Sequence, residues 1–141
     1  MDRKIEPIRC AEAPKALGNY SHAMAYGELI FVSGIASRDP VTNEVPGLRL
    51  SASGEKIAYD IRQETRATLR NIAAILATAE SSLERVLEIN VFLTDMGDFA
   101  AYNEVFAEFF STHHPARTTI GVASLPGKIS IEMKAVAVRG K

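Results

Sequence analysis

Cysteine is nearly absent: Cys10 stands alone, so no internal disulfide can form. Charge of one sign is missing too. The 16 Lys+Arg and 17 Asp+Glu leave a formal net charge of −1, with no run of five like charges. That balance lacks the basic footprint by which a domain holds DNA, RNA or an anionic membrane. The apolar runs end far short of the roughly 18 residues a membrane span needs. Nothing near the start has the charged-then-apolar layout of a secretory leader. A cytoplasmic protein with neither membrane nor nucleic-acid partner is therefore expected.

The short motifs of several chemistries are also missing. There is no His-Glu-x-x-His or Cys-x-x-Cys, so His22, His113 and His114 have no ligand set around them and no metal is expected. No glycine-rich phosphate loop and no Gly-x-Ser-x-Gly elbow occurs, which removes the usual signs of nucleotide binding and of a serine nucleophile.

What the chain does contain is one core's worth of apolar residues. With 141 residues, 47% of them hydrophobic, a single domain spanning 1–141 is expected. "HAMAYGELIFVSGIA" reads as a β-hairpin around Gly27 and Glu28. "RDPVTNEVPG", from Arg38 to Gly47, collects the residues that set turns and reads as a surface loop. From Ser53 onward, Ile57, Ile61, Leu69, Ile72 and Leu76 fall on one helical stripe completed by Thr65, with Arg, Glu and Gln opposite.

"RVLEINVFLTD" alternates and then turns apolar, as a strand entering a core does. Asp98 stands as an N-cap before a second helix with Phe99, Tyr102, Phe106, Phe109 and Phe110 along one stripe and Pro115 beyond its end. "ARTTIGVA" and "KISIEMKAVAV" close the chain as two strands joined through "SLPG". The order βββαβαββ predicts a two-layer α+β domain with a six-stranded, mostly antiparallel sheet and both helices on one face. Val136 and Val138 stay apolar on the face the helices leave bare, which points to self-association.

Two residues in the closing strands fit a core poorly. Arg117 offers five donors in a rigid plane, a shape that grips a carboxylate, yet periodicity alone favours a strand-end arginine paired with a surface acid. Glu132 alternates to the face opposite Ile129, Ile131 and Met133, beside Ser130 and Lys134, where a solvated Glu and Lys side by side is the plain alternative. Tyr20, Ser33 and Asn103 carry no signal by composition.

Six stretches in order, "APKALGNYSHA", "IFVSGIASRDPVTNEV", the helical "NI", "DFAAYNEVF", "PARTTIGVASLP" and "IEMKAVAV", give the chain its resemblance to the reactive intermediate deaminase (RidA) family, over nearly its whole length. The resemblance implies a chorismate mutase-like subunit, a homotrimer with clefts between neighbouring subunits, and hydrolysis of enamines or imines without a cofactor. It implies that Arg117 clamps the substrate carboxylate and that Glu132 positions and activates water, with Tyr20, Ser33, Asn103 and Thr119 in the cleft. The chain departs from the family pattern at Asn19, Ile35, Thr119 and Lys134.

Within the family, "FVSGIASR", "DIRQETR", "FLTDMGDFAAYNEVFAEFF" and "ARTT" resemble the 2-aminomuconate deaminase branch, which acts in degradation of aromatic rings. A substrate with two carboxylates would need a second cation, and Arg38 or Lys128 is the candidate by charge. The alternatives are a general 2-imino or enamine acid deaminase that clears reactive intermediates, a non-enzymatic binding or chaperone-like trimer, and a ribonuclease.

Overall fold

Alternating apolar residues in the strands and helical stripes between them come together as one sheet backed by two helices in the computed structural model, which describes residues 4–140. The main sheet contains β1 (Ile5–Ile8), β2 (Ala23–Tyr26), β3 (Leu29–Ile35), β6 (Val86–Leu93), β7 (Ala116–Gly121) and β8 (Ile131–Val138). Its six strands lie in the order β1-β2-β3-β8-β6-β7. Every neighbouring pair is antiparallel except β6 and β7. Helix α2 (Phe99–Phe109) makes the crossover that this parallel pair requires. β4 (Arg49–Leu50) and β5 (Lys56–Ala58) form a separate two-stranded ribbon ahead of α1 (Ile61–Thr78).

The expected α+β architecture is found, and the hairpin turns at the expected residues. Tyr26 pairs with Leu29, and Gly27 sits at φ 61°, in the left-handed region that glycine enters without steric cost. Ile30, Val32, Ile89, Val91, Leu93, Ile131, Met133, Ala135 and Ala137 face the helices and are buried against Leu69, Ile72, Ile75 and Leu76 of α1 and Tyr102 and Phe106 of α2. The other face of the sheet stays open: Met24, Tyr26, Leu29 and Phe31 are exposed, and Val136 and Val138 are half-buried.

Four details differ from expectation. The first helix begins at Ile61 rather than Ser53, because the chain first turns back through Gly54, at φ 85°, to pair β4 with β5. Ile57 is therefore 59% exposed on the ribbon instead of buried on the helix. Glu64, expected among the solvent-facing residues, is fully buried on the core side of α1. Asp98 stands at the N-cap of α2 without capping it, since its carboxylate accepts the Tyr59 hydroxyl at 2.7 Å. Leu87 is exposed because β6 carries a register shift against β8 between Val86 and Glu88, which turns its parity.

The start of α1 is fixed by Asp60, whose Oδ1 accepts the N–H groups of Arg62 at 3.0 Å and Gln63 at 3.1 Å. A bond from the Gln63 side chain, together with those two, holds the Asp60 carboxyl below the usual carboxylate range. Asp60→Ala is expected to lower stability by about 1 kcal/mol at neutral pH. The depressed value means that the stabilisation is present above the ordinary carboxylate range and lost as pH falls through the folded-state value. Urea unfolding of both proteins across that range checks it.

Candidate active site

The sheet opens into a cavity at the end of β3. Val32 pairs with Ala135 but Ile35 pairs with Met133, so one extra residue is accommodated near Ser33 and Gly34 as a bulge. Beyond it lies a cavity of about 240 Å³ lined by Tyr20, Gly34, Ala36, Arg38, Ile129 and Glu132, among others. Glu132 is carried here by β8, where Ile131 and Met133 point into the core and alternation sends the carboxyl the other way. Its seat depends on Gly34. A Cβ at that position would stand 2.5 Å from a Glu132 carboxylate oxygen, so a larger residue there would push the carboxyl out of this seat.

Burial pushes the Glu132 carboxyl above its ordinary value. Lys134, its neighbour on the same face, is exposed and is not among the groups that shift it. Ser130, expected on that face as well, is instead fully buried on the helix side, ahead of the strand.

The other residues at this end are held by local bonds. The Tyr20 hydroxyl accepts the Leu17 N–H at 3.1 Å, folding the 14–20 loop over the mouth. His22 accepts the Cys10 N–H through Nδ1 at 3.0 Å, which leaves Nε2 to donate to the Pro14 carbonyl at 2.7 Å. That pairing makes His22 a brace for the loop. Among the described residues no group of three or more His, Cys, Asp or Glu side chains is placed to hold a metal ion. Arg38 donates from Nη2 to the Lys15 carbonyl at 2.8 Å and from Nη1 to Asn43, so its guanidinium is engaged in pinning two loops. Lys128 borders an adjacent open hollow rather than this cavity. Ser33 lies beside the bulge and donates its hydroxyl to the Ser21 carbonyl at 2.7 Å.

A second polar cluster sits on the edge strand β7. Register places Arg117 beside Ile89 and Thr119 beside Val91, both on the helix face of the sheet. The Arg117 guanidinium donates to Asn103 Oδ1 at 2.8 Å and lies 4.7 Å from the ring centre of Phe106, 5.3 Å from Tyr102 and 5.7 Å from Phe99. Thr119 and the Tyr102 hydroxyl share a hydrogen bond. Aromatic faces stabilise a cation without consuming its N–H donors, so Arg117 keeps a fork free for an incoming carboxylate.

The sequence-predicted residues thus divide in two. Tyr20, Arg38 and Glu132 share the cavity, with Ser33 close by, whereas Arg117, Asn103 and Thr119 gather at the β7 edge. Glu132 pairs with Phe92 on the bare face, so Arg117 and Glu132 occupy opposite faces of the same sheet. The expected convergence of the two on one pocket does not occur within a single chain. The reason is strand parity, which a contact across one sheet layer cannot evade.

A family model described as Endoribonuclease L-PSP matches residues 10–139. The chain belongs to this family, the RidA family. Protein HMF1 of Saccharomyces cerevisiae is 38% identical over 133 residues, covering 94% of each chain. A protein of Escherichia coli named "Putative reactive intermediate deaminase TdcF" is 34% identical over 135 residues, covering 94% of this chain and 95% of that one. The crystal structure of E. coli TdcF with bound serine superposes with a TM-score of 0.83 at 33% identity, covering 96% of this chain and 99% of that one. The RidA fold expected from the sequence is thereby met. No helix among the described residues is long and apolar enough to cross a membrane.

The buried acid has a consequence for stability. Free in the unfolded chain, Glu132 ionises near 4.5; folded, it ionises later. Between those two values the folded state holds more protons, so its stability falls as pH rises through them. Glu132→Gln removes this cost. The variant is expected to melt above the parent at neutral pH, and the gain is expected to vanish below about pH 4.5. Thermal melts at both pH values check it.

Proposed function

We propose that the protein hydrolyses small 2-imino or enamine carboxylic acids to 2-oxo acids and ammonia. The observation that carries this reading is the Glu132 carboxyl, half-buried over Gly34 with its protonation raised, facing a cavity of small-molecule size. A carboxyl so placed exchanges protons closer to neutral pH than an exposed one. An enamine acid tautomerises to the imine, and water adds to the C=N carbon. Glu132 takes a proton from that water and returns it to nitrogen, which leaves as ammonia while the carbinol collapses to the carbonyl. Arg117 holds the substrate carboxylate, so the electrophilic carbon is presented to water in one orientation.

Because strand parity separates Arg117 from Glu132, the reading includes a homotrimer in which the Arg117 cluster of one copy closes the Glu132 cavity of the next. The bare sheet face, with Met24, Leu29, Phe31 and Val136, is the surface such an assembly would cover. No cofactor enters the scheme. A cytoplasmic setting completes it, resting on the solitary cysteine.

The choice of substrate changes from the expectation. The fragments resembling 2-aminomuconate deaminase favour a ring-derived dicarboxylate, but the name of the E. coli relative speaks of reactive intermediates. Serine, the molecule bound in the TdcF crystal structure, carries nitrogen and carboxylate on one carbon, as a 2-imino acid does. Arg38, enlisted for a second carboxylate, is engaged by Lys15 and Asn43. The general 2-imino acid reading therefore stands first. The family description also names an endoribonuclease, but the net charge of −1 offers no basic track for RNA.

Ammonia release from 2-iminopropionate generated in place tests the reading. Arg117→Ala is expected to lower kcat/KM by about 10²-fold. Glu132→Gln is expected to abolish turnover, and the parent rate should rise with pH as Glu132 ionises. A preference of about tenfold or more for 2-aminomuconate would restore the dicarboxylate reading, and a parent without turnover on either would leave a binding protein.

A further inference from the structure

The β3–β8 ladder ends where the cavity begins. Ile35 and Met133 are its last partners, and Ala36 then stands opposite Glu132 without pairing. Past that point the segments 36–38 and 129–130 run on without strand pairing, and Ala36, Arg38 and Ile129 from them line the cavity. Backbone that leaves a ladder inside a core must find other partners.

Side chains of α1 supply them. Fully buried Glu64 accepts the Ser130 N–H at 2.9 Å and the Ser37 hydroxyl at 3.4 Å, both through Oε1. Two turns along the helix, Asn71 donates to the carbonyls of Ala36 at 2.8 Å and Arg38 at 3.0 Å. Lys56 reaches Ser130 Oγ from the ribbon. The second carboxyl oxygen of Glu64 has no hydrogen-bond partner among the described residues, a costly state for a group whose only duty is packing.

We propose that Glu64 is a positioning residue for Glu132: by tying Ser37 to Ser130 across the open fork, it sets the cavity's width and the seat of the acid over Gly34. Ser130 precedes Glu132 by two residues, and Ser37 lies between the two wall residues Ala36 and Arg38, so the tether is short on both sides. A single carboxyl oxygen can accept from two segments at once, which an alkyl side chain cannot. Replacement by an alkyl group leaves the Ser130 N–H buried and unpaired, and the fork then relaxes to find water. The inference deepens the deaminase reading and rests on it for its kinetic part only.

The groups facing Glu64 are Ser37, Ser130, Lys56 and Tyr59; burial pushes its own carboxyl up while the Ser130 N–H and Lys56 draw it down. Lys15, Tyr20, His22 and Arg38 line the cavity with Glu132. The test compares Glu64→Leu, which removes the acceptor, with Glu64→Gln, which keeps it. Carbon-detected NMR of the Glu132 carboxyl gives its titration midpoint in each, and steady-state kinetics give kcat and KM. Glu64→Leu is expected to move the Glu132 midpoint down toward the ordinary carboxylate value and to cut kcat about tenfold with KM within about threefold. Glu64→Gln is expected to restore both. Should the leucine variant not fold, Ser37→Ala removes one arm of the tether and is expected to move the midpoint the same way by less. An unmoved midpoint in a folded Glu64→Leu or Ser37→Ala protein overturns the proposal, as does a Glu64→Gln protein as impaired as Glu64→Leu. The titration needs no turnover, so it decides the role of Glu64 even where the deaminase reading fails.

Discussion

A β-sheet is one layer thick, and its side chains must choose a face. That constraint governs this protein more than any single bond. On β8 it sends Ile131 and Met133 into the core and Glu132 to the other side, and on β7 it lays Arg117 and Thr119 against α2. The cation and the acid that the proposed imine hydrolysis calls for are therefore built on one chain but cannot meet on it. A fold that positions two half-sites on opposite faces is suited to closing them against copies of itself, and a bare apolar sheet face gives those copies something to bury.

Each half-site is stabilised by means its chemistry can tolerate. Arg117 rests on three aromatic rings and one amide oxygen, partners that steady a guanidinium without neutralising it. Glu132 is partly withdrawn from water, and that desolvation raises its carboxyl. Close to the same cavity, Glu64 lies buried in the core with one oxygen lacking a partner among the described residues. Two carboxyls in unfavourable surroundings at the end of one sheet reduce stability, and proteins commonly concentrate such costs where function is made. The bulge at Ser33 and Gly34 belongs with them, since it ends the ladder and frees the space into which Glu132 projects.

Much of the fold is legible in the sequence, because period-two and period-3.6 patterns report which side chains seek the core. The hairpin at Gly27, the stripe from Leu69 to Leu76 and the aromatic stripe of α2 are all readable in this way. The start of α1 is not, because Ile57 happens to fall on the helical phase, whereas Gly54 and the Asp60 cap decide the local backbone. Glu64 is hidden for another reason: polar residues beside a stripe read as solvent-facing unless their partners are known, and its partners lie 27 and 66 residues away. Arg117 and Glu132 can be named from motif resemblance, yet their separation cannot. It follows from the parity with which β7 and β8 each pair with the β6 strand between them, a register that adjacent position in the sequence conceals.

The central claim is that one working site draws its arginine from one copy and its acid from another. Subunit mixing tests it most directly. Arg117→Ala and Glu132→Gln proteins, each strongly impaired alone, are unfolded together and refolded as mixed assemblies. If sites form between copies, random mixing gives some of them both native residues, about a quarter at equal amounts, and ammonia release returns to about that fraction of the parental rate. Mixed assemblies that stay as impaired as the separate variants, with their mixing confirmed by native mass spectrometry, would contradict the account.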